Sequence, residues 1–314
     1  MCTYNGAPYI QKQMESIGSQ TRRPDELIVC DDRSHDNTIE IVKILASKMA
    51  FPVHININKE NLGSTKNFEK AIKLCQGDII TLCDQDDVWH PEKLNIVEKT
   101  FSHSNHIGVV FTNAELVDKH LRSIGQRLWE SIGFNRTEQK RIIKGRAFEV
   151  LLKHNVVTGA TMAFRSEFKD LILPIPENWI HDAWIALLIA ATSKLAVIQA
   201  PLIRYRQHSK QQIGVIKKRF IEELTKVKQT NSNEYLNIAD KFKMVYKRLS
   251  RMRQVSEHSE VISQINAKIS HYHTRANMPK RKLSRLPIVF KELVNLRYHR
   301  YSQKLKSAAK DIFF

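Results

Sequence analysis

Two clusters of acidic residues each follow a short apolar run. Asp31 and Asp32 come directly after the run 27–30. The segment 84–87, Asp-Gln-Asp-Asp, comes directly after the run 79–83. Carboxylates gathered in one crevice repel each other, so two such clusters favour a bound cation. Because Asp is a favoured helix cap and helix-like patterns follow both clusters, capping is the alternative that remains open.

A third carboxylate, Asp182, stands with His181 immediately before the apolar stretch 183–191. An Asp at this place can cap the helix that the stretch predicts, and by itself this favours a structural role. The residues alone leave a functional role open as the lesser alternative.

Strand-like and helix-like segments alternate through the first 112 residues. Short runs rich in β-branched residues predict strands at 27–30, 53–57, 79–83 and 108–112. Apolar residues at helical spacing predict helices at 9–20, 38–48, 65–75 and 91–101. Such alternation is typical of α/β proteins with a mostly parallel central sheet flanked by helices. A ligand crevice then lies at the carboxyl ends of the strands, where the acidic clusters fall.

Charge divides the chain into two parts. Residues 215–314 carry 23 Lys/Arg against 8 Asp/Glu, whereas residues 1–214 carry 27 against 24. We therefore predict a nearly neutral body over 1–214 and a basic extension over 215–314. A neutral body with acidic clusters argues against nucleic-acid binding there, since such binding needs a cationic surface.

Amphipathic spacing predicts that the extension is helical. One series of apolar residues runs from Ile213 to Val227 and another from Leu236 to Met252. The last segment, 280–314, mixes cations with aromatic residues, which suits an anionic membrane surface. RNA binding is the lesser alternative for this segment.

Targeting signals and membrane spans are not evident in the sequence. The N-terminus has no cationic stretch followed by an apolar one, and the stretch 183–191 is about half of the ~20 residues that cross a bilayer. The four cysteines show no metal-like spacing, which favours reduced thiols. We expect a cytoplasmic protein, peripheral on the inner face of the plasma membrane.

The order of motifs resembles the family-2 inverting glycosyltransferases of GT-A fold. The matching segments are Cys2-Thr3-Tyr4-Asn5-Gly6, Ser19-Gln20-Thr21, the run 29–38, Asn61-Leu62-Gly63, Gly77-Asp78 and Asp84-Gln85-Asp86-Asp87. Later segments resemble the rhamnosyltransferase-like branch of bacterial surface-polysaccharide synthesis. They are the run 158–164, His181-Asp182 and Tyr205-Arg206-Gln207-His208. The likeness covers residues 1 to about 210.

The resemblance implies a nucleotide-sugar site. Thr3 and Tyr4 would contact the base and ribose, and Asp32 would accept the imide N–H of uracil or thymine. UDP- and dTDP-sugars share that edge, so both are candidate donors. Arg206 would face the diphosphate.

The resemblance also implies a metal. Asp84 and Asp86 correspond to the D-x-D element that holds Mn²⁺ or Mg²⁺ on the diphosphate, in which Asp86 would be the direct ligand and Asp84 would meet the ribose or a metal-bound water. His208 is expected either to complete the metal shell or to pair with phosphate.

On the acceptor side, the resemblance makes Asp182 the general base of an inverting displacement. Thr158, Gly159 and His181 would border the acceptor pocket. The implied activity is transfer of rhamnose or a hexose to a hydroxyl of a growing, lipid-linked surface polysaccharide. The alternative is a non-catalytic relative that acts as a basic membrane or nucleic-acid binding module.

One departure from the family concerns the first strand. Only Met1 and Cys2 precede the Thr-Tyr-Asn segment, where a full apolar strand is usual. The sequence therefore predicts a first strand that is truncated, through either an upstream start or a fragment.

Overall fold

The computed structural model describes residues 1–208, 232–252 and 259–313, which form two compact units. Residues 1–147 and 156–208 make up the first unit. Residues 148–155, 232–252 and 259–313 make up the second. The predicted helix from Ile213 to Val227 lies outside the described residues.

Strands and helices alternate through the first part of the first unit. The strands are β1 (Cys2–Thr3), β2 (Leu27–Asp31), β3 (Val53–Ile57), β4 (Ile79–Thr81), β5 (Val88–Trp89) and β6 (Ile107–Val117). The helices are α1 (Ile10–Gly18), α2 (Thr38–Ala46), α3 (Ser64–Leu74) and α4 (Lys93–Ser102). Each predicted strand and helix of this range is found, with ends that differ by a few residues. The α/β class is confirmed.

The remaining elements of the first unit follow residue 117. They are β7 (Ser123–Arg127), α5 (Leu128–Ser131), α6 (Arg136–Ile143), β8 (Met162–Arg165), α8 (Lys169–Ile172), α9 (His181–Ala190) and β9 (Lys194–Arg206). Helix α7 (Ala147–Lys153) begins at the edge of the second unit. Helix α9 is apolar on every side and almost entirely buried, as expected of a helix in a core.

Two sheets form the framework of the first unit. Strands β1, β2 and β3 make a parallel sheet in that order. The second sheet has the order β4-β8-β6-β9-β5, with β7 beside β6, and only β6 and β9 pair in parallel. The expectation of a mostly parallel sheet is therefore correct for the first sheet and wrong for the second. The physical reason is that a buried apolar run looks the same in either orientation.

The chain after β4 runs beside β1. The backbone N–H of Cys2 donates to the carbonyl of Cys83 at 3.2 Å, which joins the two sheets at this point. All five residues of β2 are buried, and Ile28 and Cys30 pack against Ala71 of α3. The ends of β1 and β2 and the segment 84–87 are thus held close together.

The second unit is helical in its described residues. Its helices after α7 are α10 (Ser232–Leu249), α11 (Glu260–Ala276), α12 (Leu286–Val294), α13 (Arg297–Tyr301) and α14 (Leu305–Phe313). Helix α10 occupies most of the range over which the series from Leu236 predicts a helix. No described helix is both long enough and apolar enough to span a bilayer.

A buried polar cluster ties the helices of the second unit together. The carboxylate of Asp311 accepts two hydrogen bonds from Arg275, at 2.6 and 3.0 Å, and one from the hydroxyl of Tyr298 at 2.7 Å. Glu292 lies 2.6 Å from Nδ1 of His271 and 2.8 Å from Nη1 of Arg297. Because each buried charge has a partner, the desolvation cost of the cluster is offset.

Candidate active site

The loops that follow β1 and β2 are joined by hydrogen bonds. The N–H of Asn5 donates to Oγ of Ser34 at 2.9 Å, and the N–H of His35 donates to Oδ1 of Asn5 at 2.8 Å. The N–H of Gly6 donates to Oγ1 of Thr38 at 2.8 Å. Short polar side chains therefore replace backbone pairing where the strands end, and they fix the two loops as one wall.

The Gln85 side chain connects that wall to the loop after β4. Its Oε1 accepts from the N–H of Tyr4 at 2.8 Å, and its Nε2 donates to the carbonyl of Tyr4 at 2.9 Å. A Cβ at position 6 would lie 2.1 Å from this Oε1, so a residue larger than glycine there would displace the Gln85 amide from these two bonds. The Tyr4 side chain stays 46% exposed above the clamp.

The first acidic cluster is Asp31 with Asp32, and both carboxylates are occupied by protein donors. Asp31 accepts from Oγ1 of Thr3 at 2.7 Å and from the N–H and hydroxyl of Ser34 at 2.8 and 2.6 Å. Thr3 is buried, and its hydroxyl is engaged in this bond.

Asp32 lies under the turn that leads into α3. Its Oδ1 accepts from Nδ2 of Asn58 at 2.8 Å and from the N–H of Leu62 at 2.7 Å. Its Oδ2 accepts from the N–H of Gly63 at 2.9 Å. Gly63 is the N-cap residue of α3 and has a φ of 76°, a conformation that favours glycine. Asp32 thus orders the start of α3, whereas the sequence suggests capping of the nearer helix α2.

The second acidic cluster is Asp84, Asp86 and Asp87. Asp87 is fully buried, and its Oδ1 accepts from the N–H of Arg206 at 3.0 Å. Its Oδ2 is buried with no hydrogen-bond partner in the described part of the chain. Burial, followed by the charges of Asp86 and Asp84, raises the pKa of Asp87 well above its ordinary value.

Asp84 connects this cluster to the predicted base. Burial raises the pKa of Asp84 to about 7, and the charges of Asp86 and Asp182 add to the increase. Hydrogen bonds also connect the two sites through the segment 159–162, because the N–H of Leu82 donates to the carbonyl of Met162 at 3.0 Å and the N–H of Gly159 donates to Oδ2 of Asp182 at 2.9 Å. The structure thus brings the two sequence-distant acidic sites, 84–87 and 182, to neighbouring segments.

His208 and Arg206 both contact the second acidic cluster. Nε2 of His208 lies 2.8 Å from Oδ2 of Asp86, and its ring lies 4.6 Å from the Tyr9 ring. Arg206 is buried, and its Nε donates to the carbonyl of Asp86 at 2.6 Å. Its Nη1 donates to the carbonyl of Lys119 at 2.6 Å. Arg206 thus supports the acidic loop, and contact with a diphosphate stays a prediction.

The donor atoms of the second acidic cluster suit a divalent cation. Among the described residues, no three His, Cys, Asp or Glu side chains are already grouped as metal ligands. The cluster nevertheless offers oxygen atoms, the ligand type that Mg²⁺ and Mn²⁺ prefer. Burial, followed by repulsion among these carboxylates, raises the pKa of Asp84 and Asp87, and a cation would relieve that repulsion.

Asp182 lies in the first turn of α9, and the N-cap residue of this helix is Ile180. Its Oδ2 accepts from the N–H of Gly159 at 2.9 Å. Gly159 begins a short 3-10 turn, and the Thr158 carbonyl accepts from the N–H of Thr161 in that turn at 2.9 Å. The turn that fixes the carboxylate of Asp182 therefore contains Gly159 and follows Thr158, two residues predicted to border the acceptor pocket.

The His181 ring is buried beside Asp182. It stacks on the Phe68 ring with centroids 4.0 Å apart, and a Cβ on Gly159 would lie 2.8 Å from its Nε2. Both ring nitrogens are buried and have no hydrogen-bond partner among the described residues. Burial lowers the pKa of His181 to about 3, so the ring is neutral.

Sequence reasoning missed a fully buried lysine, Lys93. Its Nζ donates to the carbonyl of Ala160 at 3.0 Å and lies 3.7 Å from the centroid of the Trp89 ring. Burial lowers the pKa of Lys93 to about 7, while the charges of Cys83, Asp87 and Asp84 oppose that decrease. Lys93 links the region below the second acidic cluster to the turn that holds Asp182. The signal in the sequence that could have indicated Lys93 is its position six residues after Asp87.

An α/β unit with carboxylates gathered where its strands end has the architecture of GT-A nucleotide-sugar transferases. Residues 1–171 match the family described as Glycosyl transferase family 2. The chain therefore belongs to glycosyl transferase family 2, and the resemblance drawn from the motifs is confirmed.

Curated relatives include proteins named as glycosyltransferases. The uncharacterized glycosyltransferase alr2836 of Nostoc sp. is 26% identical over 211 residues, which cover 65% of this chain and 62% of that protein. The dTDP-rhamnosyl transferase RfbG of Shigella flexneri is 26% identical over 288 residues, or 85% of this chain and 84% of that protein. This chain thus spans less than two thirds of the Nostoc relative.

Solved structures confirm the GT-A fold. S. aureus TarS 1-349 in complex with UDP-GlcNAc has a TM-score of 0.59 and 15% identity, covering 94% of this chain and 76% of TarS 1-349. The mannosyltransferase PcManGT of Pyrobaculum calidifontis, in complex with GDP-Man and Mn²⁺, has a TM-score of 0.52 and 16% identity. The match covers 99% of this chain and 82% of the PcManGT chain. At these identities the likeness concerns the fold alone.

Proposed function

We propose that the protein is a metal-dependent inverting glycosyltransferase. It moves rhamnose or a hexose from a dTDP- or UDP-sugar to a hydroxyl of a growing, lipid-linked surface polysaccharide. The observation that carries the proposal is that Asp84, Asp86 and Asp182 lie in neighbouring segments, because the N–H of Leu82 donates to the carbonyl of Met162 at 3.0 Å and the N–H of Gly159 donates to Oδ2 of Asp182 at 2.9 Å. A binding module would gain nothing from placing three carboxylates together at a cost in electrostatic repulsion.

The donor nucleotide is proposed to lie against the wall formed by the loops after β1 and β2. The exposed Tyr4 ring offers a face on which a base can stack. Asp32 would accept the imide N–H, alongside the backbone donors that already hold it. Thr3 is proposed to act through Asp31, because its hydroxyl is engaged there, and Arg206 would support the diphosphate side.

Asp86, Asp84 and His208 are the residues proposed to hold Mn²⁺ or Mg²⁺. The cation, when bound, would offset the negative charge that develops on the departing diphosphate. The chain's own contribution is to present oxygen donors from a loop that Arg206 and Gln85 fix in place. PcManGT, a protein of the same fold, was solved with Mn²⁺.

Asp182 is proposed to be the general base. It takes the proton of the acceptor hydroxyl while that oxygen bonds to the anomeric carbon and the bond from this carbon to the diphosphate breaks. The N–H of Gly159 fixes the orientation of the carboxylate. The neutral His181 ring and the Thr158–Gly159 segment would border the acceptor.

The donor preference of this chain stands as a proposal. RfbG is named as a dTDP-rhamnosyl transferase, and TarS was solved with UDP-GlcNAc. A carboxylate at the base edge accepts from uracil and thymine alike, so it does not separate these two donors.

The four cysteines are free thiols, which suits the proposed location on the cytoplasmic face of the membrane.

A panel of nucleotide sugars tests the proposal. Melting temperatures are measured with dTDP-rhamnose, UDP-GlcNAc, UDP-Glc and GDP-Man, each with Mn²⁺ and with EDTA. We expect a dTDP- or UDP-sugar to raise the melting temperature, and more so with Mn²⁺ than with EDTA. The anomeric configuration of the transferred sugar, read by NMR, should be opposite to that of the donor. Equal protection by all four donors, or retention of configuration, would contradict the proposal.

A further inference from the structure

An exposed apolar ridge runs along α12 in the second unit. Leu286, Phe290 and Val294 are spaced four residues apart and are 45%, 69% and 64% exposed. Residues four apart lie on one side of a helix. Val289 and Glu292, on another side of the same helix, are buried. The helix therefore packs into its unit on one side and presents apolar side chains to solvent on another.

The ridge continues beyond both ends of the helix. Leu283 precedes α12 and is 68% exposed, and Leu296 follows it and is 50% exposed. We use the name apolar ridge for the set Leu283, Leu286, Phe290, Val294 and Leu296. Several large apolar side chains exposed along one short segment favour a surface that meets another phase or partner.

The exposed charges of the segment that carries the ridge have one sign. Residues 277–313 contain ten Lys/Arg and two Asp/Glu. Both acids are buried, Glu292 against His271 and Arg297, and Asp311 against Arg275. The exposed cations of this segment are Lys280, Arg281, Lys282, Lys291, Arg300, Lys304 and Lys306. No carboxylate of 277–313 is left to offset them.

We propose that this face of the second unit docks on an anionic lipid bilayer, with the apolar ridge buried at the boundary of headgroups and acyl chains. An amphipathic helix with a cationic flank and an apolar face lies in the plane of a membrane in this way. Each Lys or Arg near the surface adds attraction to anionic headgroups. A second copy would bring the same cations into opposition, and nucleic acid would leave the ridge in water.

The inference deepens the proposed function, since a lipid-linked acceptor is presented at such a surface. It does not depend on catalysis, because its experiments measure binding alone. A chain that binds vesicles and transfers no sugar would leave this inference intact and refute the proposed activity. A chain that transfers sugar in solution and ignores vesicles would do the reverse.

Sedimentation of the full chain with vesicles tests the charge and the ridge separately. Vesicles of phosphatidylcholine with 30% phosphatidylglycerol are compared with pure phosphatidylcholine, at low and high salt. We expect binding to the anionic vesicles that weakens as salt rises. The double variant Phe290→Ser/Val294→Ser should bind at least about tenfold more weakly at the same salt, because it removes apolar contact while keeping every charge.

Ile143→Ser is the matched control. Ile143 is 65% exposed at the end of α6 in the first unit, so this change removes an equally exposed side chain. It should leave vesicle binding unchanged. Melting temperatures of all variants within a few degrees of the parent would show that each is folded. Equal binding by the parent and the double variant would overturn the role of the ridge.

Insertion itself is measured by fluorescence. The four tryptophans, Trp89, Trp129, Trp179 and Trp184, are all buried, so their emission gives a constant background. In Phe290→Trp the new ring should be quenched by lipids that are brominated on their acyl chains, whereas Ile143→Trp should not be. Attachment through headgroups alone, preferential binding of RNA, or dimerisation that Phe290→Ser/Val294→Ser abolishes without any vesicle binding would each overturn the proposal.

Discussion

The two acidic clusters stand at neighbouring places in the first unit and have opposite electrostatic designs. In the first cluster, Asp31 and Asp32 each accept three hydrogen bonds from protein donors. In the second, Asp87 keeps a buried oxygen without a partner among the described residues, and the pKa of Asp84 is raised to about 7. The protein supplies hydrogen-bond donors to both carboxylates of the first cluster, whereas in the second cluster burial and repulsion disfavour the ionised carboxylates.

The difference is between carboxylates whose hydrogen bonds to the protein stabilise the loops and carboxylates whose repulsion a bound cation would relieve. A buried carboxylate with full hydrogen bonding stabilises the loops that it joins. Carboxylates that repel each other destabilise the free protein, and a bound cation can recover that free energy. We therefore expect changes in the first cluster to affect folding, and changes in the second to affect metal and turnover.

The largest effect is expected from Asp182→Asn. General-base catalysis contributes about 10²–10⁴-fold in rate, so transfer should fall by about this factor. Asn keeps an oxygen that can accept from the N–H of Gly159, so donor affinity and melting temperature should stay near those of the parent. Steady-state rates and calorimetric donor affinities measure both. Transfer at the parental rate would leave Asp182 as a helix-end residue.

Asp86→Asn should come next. It removes a charged oxygen from the second acidic cluster, and charge-assisted contacts are worth about 1.5–3 kcal/mol, or roughly ten- to hundredfold in affinity. The gain in UDP or dTDP affinity that Mn²⁺ confers should largely disappear. Asp36→Asn is the control, because the Asp36 carboxylate accepts hydrogen bonds from Ala7 and Thr38 in the wall formed by the loops after β1 and β2. Equal titrations with Mn²⁺ and with EDTA in the parent would refute a metal role.

Asp32→Ala tests the first cluster. It leaves the N–H groups of Leu62 and Gly63 and the Asn58 amide without their acceptor, so the free energy of unfolding should fall by about 2 kcal/mol. Urea denaturation measures this loss. Donor affinity should fall by the same factor with Mn²⁺ and with EDTA. A variant as stable as the parent would show that the two clusters do not differ as described.

The smallest effect concerns pH. Burial lowers the pKa of His181 to about 3, so below pH 6.5 the unfolded chain binds a proton that the folded chain does not. This residue therefore destabilises the fold by up to about 1.4 kcal/mol for each pH unit below 6.5. Asp84 acts in the opposite sense, because its raised pKa stabilises the fold as pH falls through about 7.

His181→Phe isolates the histidine, since Phe keeps a ring that can stack on Phe68. The difference in unfolding free energy between variant and parent should grow as pH falls from 6.5 to 5. Denaturation curves at pH 7, 6 and 5 provide the measurement. A difference that does not change with pH would mean that the His181 ring is accessible to protons in the folded chain.

Local pattern predicted much of the first unit. The strands around Val29 and Ile55 could be recognised as short runs rich in β-branched residues, and the helices around Val42 and Phe68 by the spacing that burial of one face leaves in the sequence. Strand neighbours could not be. The insertion of β8 between β4 and β6 depends on contacts between residues about 80 apart, such as Ile80 with Phe164, which no local pattern encodes.

For the candidate site, residue types were informative and their individual environments were not. Acidic residues after strands pointed to the crevice, yet nothing in the sequence distinguishes Asp32, which accepts three hydrogen bonds, from Asp87, whose Oδ2 has no partner among the described residues. The donors that decide this come from Leu62, Gly63 and Arg206, and they reach the carboxylates only in the folded chain. Lys93 was missed for the same reason.

The clamp between Gln85 and Tyr4 has an evolutionary consequence. A Cβ at position 6 would fall where the Gln85 amide lies, so a side chain at position 6 and the Gln85 amide compete for the same volume. Positions 6 and 85 should therefore covary among relatives. Where a relative carries Ala or Ser at the place of Gly6, it should carry a residue shorter than Gln at the place of Gln85. The backbone of Tyr4 would then find its partners in solvent or in the bound nucleotide.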